Sequence, residues 1–278
     1  MIQTKYLMKQ KINSTSEPGY PNIEVKFNRP IELFVDNFIG YDPYKNTFKI
    51  FWFRESEVIG KLTSEIIANK DKFDAIITCQ EEVLQKCDNA YFMEFGTAWV
   101  FDYDIKTEKK FQISHLTGFK EITEGHKLRK KIHYKQNKIT NPKDFYISHY
   151  GGVIETFDNK QLQETKTPMF NSQFHICIEN TKENNYFTEK LIDCLITKTI
   201  PIYWGCPNIE KCFDINGFFI AENEKNIIEI CNSINENTYQ NKILSIEKNF
   251  ELSQKYITIL DRLEIVINRI LNTNQKTL

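Results

Sequence analysis

The sequence predicts an α/β fold built on parallel β-sheets, and two observations lead to this prediction. First, residues 174–204 (FHICIENTKENNYFTEKLIDCLITKTIPIYW) contain an apolar strand, a polar loop, an amphipathic helix and a second strand. This order is a βαβ unit, which connects two parallel strands of one sheet. Second, strand-like apolar runs alternate with short helical segments in the first half of the chain, which favours another parallel sheet.

Each element of the βαβ unit carries its own local signal. The segments 174–178 and 200–204 are rich in β-branched and aromatic residues, as buried strands are. Thr188 suits the N-cap of the intervening helix, because its hydroxyl can accept a hydrogen bond from a backbone N–H of the first turn. The helix must end before Pro201. Its apolar positions recur at helical spacing at Leu191, Ile192, Leu195 and Ile196.

The chain is long enough for two domains. Its 278 residues accommodate two Rossmann-like halves of about 100–150 residues each. Residues 102–110 (DYDIKTEKK) are charged and have no core pattern, so we place the boundary there, between a domain at 1–105 and a domain at 106–278. The periodicity predicts strands at 31–39, 48–53, 73–78, 91–95, 111–116 and 145–150, and helices at 64–70, 81–86, 126–134, 226–234 and 243–271.

The composition argues against several classes of protein. A formal net charge of −1 argues against nucleic-acid binding, which usually requires a basic excess. The seven cysteines are dispersed without a CxxC pair, which is typical of reduced thiols in a cytoplasmic protein and does not fit a zinc site. No stretch approaches the roughly 20 apolar residues that span a bilayer, and residues 1–20 lack the apolar core of a signal peptide. We therefore expect a cytoplasmic protein with no metal and no membrane span.

Polar side chains cluster where the strand at 174–178 meets the start of the next helix. Open α/β sheets bind ligands at this edge, and the free N–H groups of a helix start favour phosphate. A carboxylate can bind both hydroxyls of a ribose, a lysine can neutralise a diphosphate, and a tyrosine can stack or hydrogen-bond. The candidates for these roles are Glu179, Asn180, Tyr186, Glu189 and Lys190. The alternative is an ordinary surface helix in which Glu189 only complements the helix dipole.

Two segments of the chain resemble a known family. One segment has the pattern FxxxxEN, a polar gap, YxTEK and IPIYWG, and the other is ISHLTGFKEITEGHKLRKKI at residues 113–132. Both look like the donor-binding region of glycosyltransferase family 10, the α1,3/4-fucosyltransferases. The resemblance covers roughly residues 112–219, and the amino-terminal half matches only loosely. It implies a GT-B fold, in which two Rossmann-like domains face a cleft, with the long last helix packing back on the first domain.

The same resemblance implies an activity and roles for site residues. The family transfers a sugar, normally fucose, from a GDP donor to a glycan without a catalytic metal, so we expect no cofactor beyond GDP-fucose as donor substrate. Arg129 matches the family's arginine that reaches the donor diphosphate, and a guanidinium suits bidentate phosphate binding. From the residues alone, Arg129 could instead be a solvated charge among Lys127, Lys130 and Lys131. Since no anchor segment is visible, we expect the soluble bacterial or viral type.

Inverting transfer of a sugar needs a base that removes the proton of the acceptor hydroxyl, and the first domain should supply it. Glu55, in WFRESEVI, resembles the Glu-Ser of the animal enzymes' FESP block. Glu81, in FDAIITCQEE, lies where a bacterial relative carries a glutamate. Their neighbours Glu57 and Glu82 stay open as alternatives, and Glu94 is a weaker one. The alternative for each of these residues is a solvated acid at the start of a helix, with no catalytic role.

Three functions follow from these observations. The leading hypothesis is an inverting, α1,3-fucosyltransferase-like enzyme acting on a glycan. The second is a GT-B transferase that uses another nucleotide-linked sugar, because the motif indicates nucleotide and phosphate more than the sugar. The third is a non-catalytic nucleotide- or glycan-binding relative. Binding of GDP, UDP and GDP-fucose, followed by donor hydrolysis, would separate the three.

Overall fold

The contacts of a computed structural model, which describes residues 8–12, 23–27, 29–148, 160–161 and 165–275, divide the chain into two units. The first unit comprises the described residues up to Phe95 and those from Thr258 onwards. The second unit runs from Gly96 to Ile257.

The described strands and helices are numbered along the chain. The strands are β1 (Met8–Ile12), β2 (Ile23–Phe27), β3 (Ile31–Val35), β4 (Phe48–Phe53), β5 (Ala75–Thr78), β6 (Ala90–Phe92), β7 (Lys110–Thr117), β8 (Lys143–Ile147), β9 (Lys160–Gln161), β10 (Ser172–Ile178), β11 (Ile200–Trp204) and β12 (Phe219–Ile220). The α-helices are α1 (Glu57–Gly60), α2 (Thr63–Ala68), α3 (Glu81–Lys86), α4 (Glu124–Tyr134), α5 (Glu189–Ile196), α6 (Glu224–Ser233), α7 (Thr238–Asn241), α8 (Ile243–Ser253) and α9 (Ile259–Gln275).

The first unit is built on a parallel sheet in the order β3-β4-β5-β6, accompanied by the antiparallel pair β1–β2. Successive residues of a strand face opposite sides of a sheet, and here both sides are covered. One side packs against α9 through Leu263 and Ile267, and the other packs against Ile66 of α2 and Val83 of α3. This burial on both faces explains why β3, β4 and β5 are buried at every position.

The second unit is built on a six-stranded sheet in the order β12-β11-β10-β7-β8-β9, and all its strand pairs are parallel. The chain runs outwards from β7 to β8 and β9, and then continues at β10 on the other side of β7 towards β11 and β12. The direction of winding therefore reverses between β7 and β10. In open parallel sheets such a reversal opens a crevice at the carboxyl ends of the two strands.

Helices cover both faces of this second sheet. Leu128 and Ile132 of α4 pack on one face together with Ile227 and Cys231 of α6. On the other face lies the apolar side of α5, formed by the predicted Leu191, Ile192 and Leu195. The starts of α4 and α5 thus follow the carboxyl ends of β7 and β10, which places two helix amino termini at the crevice.

The predicted βαβ unit is confirmed. Strands β10 and β11 pair in parallel, and the α5 helix between them begins after Thr188, whose hydroxyl accepts from the backbone N–H of Lys190 at 3.3 Å. The predicted strand at 145–150 is observed as β8, and residues 149–150 lie outside the described residues. The antiparallel pair β1–β2 was not predicted, because its strands lie in a polar segment without a clear apolar period.

The prediction of one long helix at 243–271 is wrong. The segment forms α8, a 3₁₀ turn at Gln254–Tyr256 and then α9. Tyr256 is fully buried and packs against Phe187 and Phe213, so this turn is anchored in the core of the second unit. A continuous apolar period therefore does not guarantee a continuous helix when one aromatic residue is held by a different set of contacts.

The second unit begins at Gly96, whereas the sequence predicts a boundary between the domains at residue 105. Residues 96–105 belong to the second unit, because the backbone N–H groups of Trp99 and Val100 donate to the Asp193 carboxylate at 2.7 and 3.1 Å. The last helix, α9, packs within the first unit. Across the described residues we find no helix long and apolar enough to cross a membrane. All seven cysteines are free, and all but Cys212 are buried.

Candidate functional site

A pocket of about 290 Å³ opens at the point where the second sheet reverses its winding. Its walls come from the carboxyl ends of β7 and β10, the first turns of α4 and α5, and residues before β7 and β10. The lining residues that matter most for its chemistry are Trp99, Lys120, His126, Arg129, Lys166, Asn180, Glu189, Lys190 and Asp193. Among the described residues of the wall, four cations face two carboxylates, so the pocket suits an anionic ligand that also carries hydroxyl groups.

The start of α4 is held in place by a reciprocal cap. The Thr123 hydroxyl accepts from the backbone N–H of His126 at 3.2 Å, and the Thr123 backbone N–H donates to His126 Nδ1 at 3.2 Å. Burial, reinforced by the nearby charge of Arg129, lowers the pKa of His126 to about 4. The imidazole is therefore neutral at pH 7, and because Nδ1 accepts, its proton lies on Nε2.

Gly125 lets α4 approach the end of β10 very closely. Its backbone N–H donates to the carbonyl of Asn180 at 3.0 Å. A Cβ at this position would lie 1.8 Å from the Glu179 carbonyl oxygen and 2.8 Å from the Glu179 carbonyl carbon. Only a glycine allows this contact, which sets the distance between the helix carrying Arg129 and the segment after β10 that carries Asn180.

We expect Gly125→Ala to destabilise the protein by about 1–3 kcal/mol or more, because backbone atoms must move to admit the methyl group. Thermal unfolding measures this as a fall of several degrees in Tm. Gly118→Ala is the matched control, since Gly118 also lines the pocket but its Cβ would meet nothing nearer than Ser148 Cβ at 3.8 Å. Equal melting temperatures for the two variants would contradict the close-contact explanation.

Arg129 crosses from α4 to the end of β10. Its Nη1 donates to the carbonyls of Ile178 and Glu179, and its Nη2 donates to Asn180 Oδ1 at 2.9 Å. Burial lowers the pKa of the guanidinium, and the charges of Glu179 and Glu189 oppose that shift. These three hydrogen bonds leave two of the five N–H donors without a partner among the described residues, and Arg129 is one of the residues that line the pocket.

A buried carboxylate organises the start of α5. Glu179 is fully buried, and its two oxygens accept from the Thr188 backbone N–H at 2.8 Å and from the Thr188 hydroxyl at 2.7 Å. Burial raises the pKa of Glu179, and the Lys190 ammonium 3.7 Å away opposes the rise. Glu179 does not line the pocket. It acts through Thr188, whose hydroxyl accepts from Lys190 Nζ at 3.0 Å.

Glu189 and Lys190 form a charged pair in the pocket wall at the start of α5. Lys190 Nζ lies 3.1 Å from Glu189 Oε1. Burial works against both charges, but attraction to Lys190 and Lys166 outweighs it and lowers the pKa of Glu189 to about 2. In the same way, attraction to Glu189 and Glu179 overcomes the burial of Lys190 and raises its pKa. Both groups are therefore charged at pH 7.

The structure thus brings four of the predicted donor-binding residues, Arg129, Asn180, Glu189 and Lys190, into one wall. Tyr186 is different: the residue is 1% exposed and is absent from the pocket lining. Its proposed contact with the donor stays a prediction.

The candidate bases lie in the first unit. Glu55 follows β4 and Glu81 follows β5, so both stand at the carboxyl edge of that parallel sheet. The Gln80 amide donates to the Glu55 carbonyl at 3.3 Å, which ties the two loops together. Glu55 is half-buried and Glu81 is exposed. Among the alternatives, Glu57 accepts from the Thr63 backbone N–H at 3.0 Å and Glu82 pairs with Lys86 at 2.7 Å.

Sequence reasoning missed several lining residues. Asp193 could have been found, because it lies four residues after Glu189 and so on the same side of α5. Lys166 and Trp99 gave no local signal, since they reach the pocket from segments far away in the sequence. No group of three or more His, Cys, Asp or Glu side chains in the described part of the chain is arranged to hold a metal ion.

Comparison with known proteins places this pocket in a family context. Residues 126–244 match the model of glycosyltransferase family 10 (fucosyltransferase), C-terminal part. The alpha-(1,3)-fucosyltransferase FucT of Helicobacter pylori is 37% identical over 114 residues. That match covers 41% of this chain and 22% of the Helicobacter protein, so the chain spans about a fifth of the length of this relative.

Solved structures extend the likeness to most of the chain. The crystal structure of an alpha1,3-fucosyltransferase matches with a TM-score of 0.50 and 18% identity, over 81% of this chain and 77% of that one. The crystal structure of TarM matches with a TM-score of 0.56 and 16% identity, over 87% and 54%. Both proteins are GT-B glycosyltransferases, and the predicted GT-B fold is confirmed. At such low identity these matches concern the fold alone.

Proposed function

We propose that this chain, whose residues 126–244 match the model of glycosyltransferase family 10, is an inverting fucosyltransferase of that family. It would transfer fucose from GDP-fucose to a hydroxyl of a glycan acceptor. One observation carries the proposal. The pocket at the winding reversal joins two helix starts with Arg129, Lys190 and Glu189 in a single wall.

This wall matches the parts of a nucleoside diphosphate. The free N–H donors of Arg129 and the ammonium of Lys190 suit the two phosphates, and the helix dipoles of α4 and α5 add to the attraction. The Glu189 carboxylate suits the two ribose hydroxyls, because it accepts hydrogen bonds and stays ionised at neutral pH. The same cations would stabilise the negative charge that develops on GDP as the bond to fucose breaks.

The acceptor side of the reaction needs one more group. As the acceptor oxygen attacks the anomeric carbon opposite the departing GDP, its proton must go to a base. Glu55 and Glu81 are the proposed bases. A carboxylate in this role takes a proton and forms no bond to the sugar, so the configuration at the anomeric carbon inverts once, from β in the donor to α in the product.

Replacing Glu189 tests the ribose contact. We expect Glu189→Ala to weaken GDP binding by about 1–3 kcal/mol, because hydrogen bonds to a charged acceptor are lost. Inorganic pyrophosphate should bind as well as before or better, since it has no ribose and the pocket has lost a negative charge. Isothermal titration calorimetry measures both ligands. Glu124→Ala, at the exposed first turn of α4, is the matched control for the helix dipole. Unchanged GDP affinity in Glu189→Ala would reject the ribose role.

The function itself is tested by titrating the protein with GDP, UDP and GDP-fucose. The proposal expects GDP and GDP-fucose to bind and UDP to bind weakly, followed by slow release of GDP from GDP-fucose. Preference for UDP would favour a transferase that uses another nucleotide-linked sugar. Binding of GDP-fucose without any turnover, with or without glycans, would favour a non-catalytic relative. Failure of both guanine ligands to bind would overturn the proposal.

A further inference from the structure

One carboxylate of the pocket wall has an unused hydrogen-bonding atom. Asp193 is fully buried, and its Oδ1 accepts from the backbone N–H groups of Trp99 and Val100. Its Oδ2 is shielded from solvent and has no hydrogen-bond partner among the residues that the structure describes, although Asp193 belongs to the pocket wall. A buried carboxylate oxygen left in this way carries a large desolvation cost unless something fills its place. Burial indeed raises the pKa of Asp193 to about 6, and Lys166 opposes the rise.

The neighbouring cation, Lys166, also lacks a hydrogen-bond partner among the described residues. Lys166 Nζ lies 3.6 Å from Asp193 Oδ2 and 3.6 Å from Glu189 Oε1, beyond hydrogen-bond distance of both. It makes no hydrogen bond to any residue that the structure describes. It sits 4.4 Å from the centre of the Trp99 ring, and that ring is 60% exposed. The pocket wall therefore carries an acceptor and a donor side by side, next to a flat aromatic surface.

The neighbouring positions of Asp193 Oδ2 and Lys166 Nζ limit which chemical groups of a ligand can bind both of them. A hydroxyl matches both groups chemically, because its oxygen can accept from Lys166 while its hydrogen is donated to Asp193 Oδ2. A phosphate does not fit, since it would face the two carboxylates of Asp193 and Glu189. The Trp99 ring adds an apolar surface suited to the C–H face of a sugar ring. A group that offers hydroxyls on one side and C–H bonds on another is a carbohydrate.

We propose that Asp193, Lys166 and Trp99 form a subsite for a hydroxyl of the donor's carbohydrate part. The inference rests on the proposed function, since it presumes that a sugar nucleotide occupies the pocket. Two sources of the hydroxyl share this chemistry, the transferred sugar and the ribose. Asp193 lies one turn further along α5 than Glu189, so the subsite extends the wall beyond the proposed ribose contact, which favours the transferred sugar.

The test compares Asp193→Asn and Lys166→Met with the wild-type chain, using GDP, 2′-deoxy-GDP and GDP-fucose in calorimetric titrations. Asparagine keeps an oxygen for the Trp99 and Val100 N–H groups and replaces only the unpaired atom. Methionine keeps the contact with Trp99 and removes the ammonium. We expect both variants to bind GDP-fucose about 10- to 100-fold more weakly and GDP about as well as the wild type. Lys198→Met is the matched control, because Lys198 also pairs with a carboxylate, Glu247, and lies 4.7 Å from a Phe250 ring centre, away from the pocket.

Each possible result of these titrations either supports the subsite or overturns it. If GDP and GDP-fucose weaken equally while 2′-deoxy-GDP is unaffected, the hydroxyl belongs to the ribose and the subsite stands. If folded variants bind all three ligands as the wild type does, the subsite is wrong and the proposed function is untouched. If the wild type binds none of the three, the proposed function fails and the subsite fails with it. Should Asp193→Asn not fold, as judged by its melting curve, Lys166→Met carries the comparison alone.

Discussion

Arg129→Ala should lower the turnover of GDP-fucose about 10²–10³-fold, the usual cost of removing one preorganised donor from a developing negative charge. The proposal assigns two of its N–H donors to the diphosphate, and the other three are engaged with Ile178, Glu179 and Asn180. The variant therefore loses both a phosphate contact and the link between α4 and the end of β10. Steady-state release of GDP measures the effect, with the melting temperature recorded beside it.

Two further variants separate charge from geometry in this experiment. Arg129→Lys keeps the positive charge but loses the planar fork, so it should recover only part of the activity. Lys131→Ala, on an exposed position of the same helix, removes a cation outside the pocket and should leave turnover unchanged. Full activity in a folded Arg129→Ala variant would remove Arg129 from the donor site.

Glutamine in place of the true base should lower turnover about 10²–10⁴-fold while leaving GDP affinity near normal. Glutamine has almost the shape of glutamate but cannot take the proton. The two proposed residues are Glu55 and Glu81, and only one of them should show the large effect. GDP affinity should hold because neither residue contributes to the wall that contains Arg129 and Lys190. Turnover and calorimetric GDP binding, measured on the same preparations, check both halves of this expectation.

The neighbouring acids supply the controls. Glu57→Gln weakens a contact to the Thr63 backbone N–H, and Glu82→Gln removes an exposed pair with Lys86, so both should be mild. A large loss of turnover in either variant would identify Glu57 or Glu82 as the base instead of Glu55 or Glu81. Wild-type rates in both Glu55→Gln and Glu81→Gln would mean that the base lies elsewhere.

The parts of the fold that the sequence predicted are those whose signals are local. The β10–α5–β11 unit could be located because apolar strands, a capping threonine and a helical stripe follow one another within about thirty residues. Four residues of the pocket wall, Arg129, Asn180, Glu189 and Lys190, followed from the same stretch together with the family motif around Arg129. These features depend on near neighbours in the chain, which is where sequence patterns are informative.

What the sequence could not predict depends on distant contacts. Trp99 meets Asp193 across 94 residues, and no period or motif connects them. Lys166 comes from a segment without helical or strand pattern, so its place between two carboxylates appears only in three dimensions. Tyr186 shows the opposite case: the motif identified the residue, but not that it is buried and absent from the pocket lining. The break between α8 and α9 was hidden for a similar reason, because tertiary packing of Tyr256 overrides the helical pattern.

Proton NMR of GDP-fucose incubated with the protein tests the central claim most directly, because it follows the anomeric carbon and needs no knowledge of the natural acceptor. With water as a slow acceptor, a single displacement releases GDP and gives the α-anomer of fucose as the first product, before mutarotation mixes the anomers. Omission of the protein and the Arg129→Ala variant give the background rates. Initial release of α-fucose at a rate that depends on Arg129 is the predicted result. Release of the β-anomer first, or a covalent sugar-protein species by mass spectrometry, would contradict the inverting mechanism proposed for this chain.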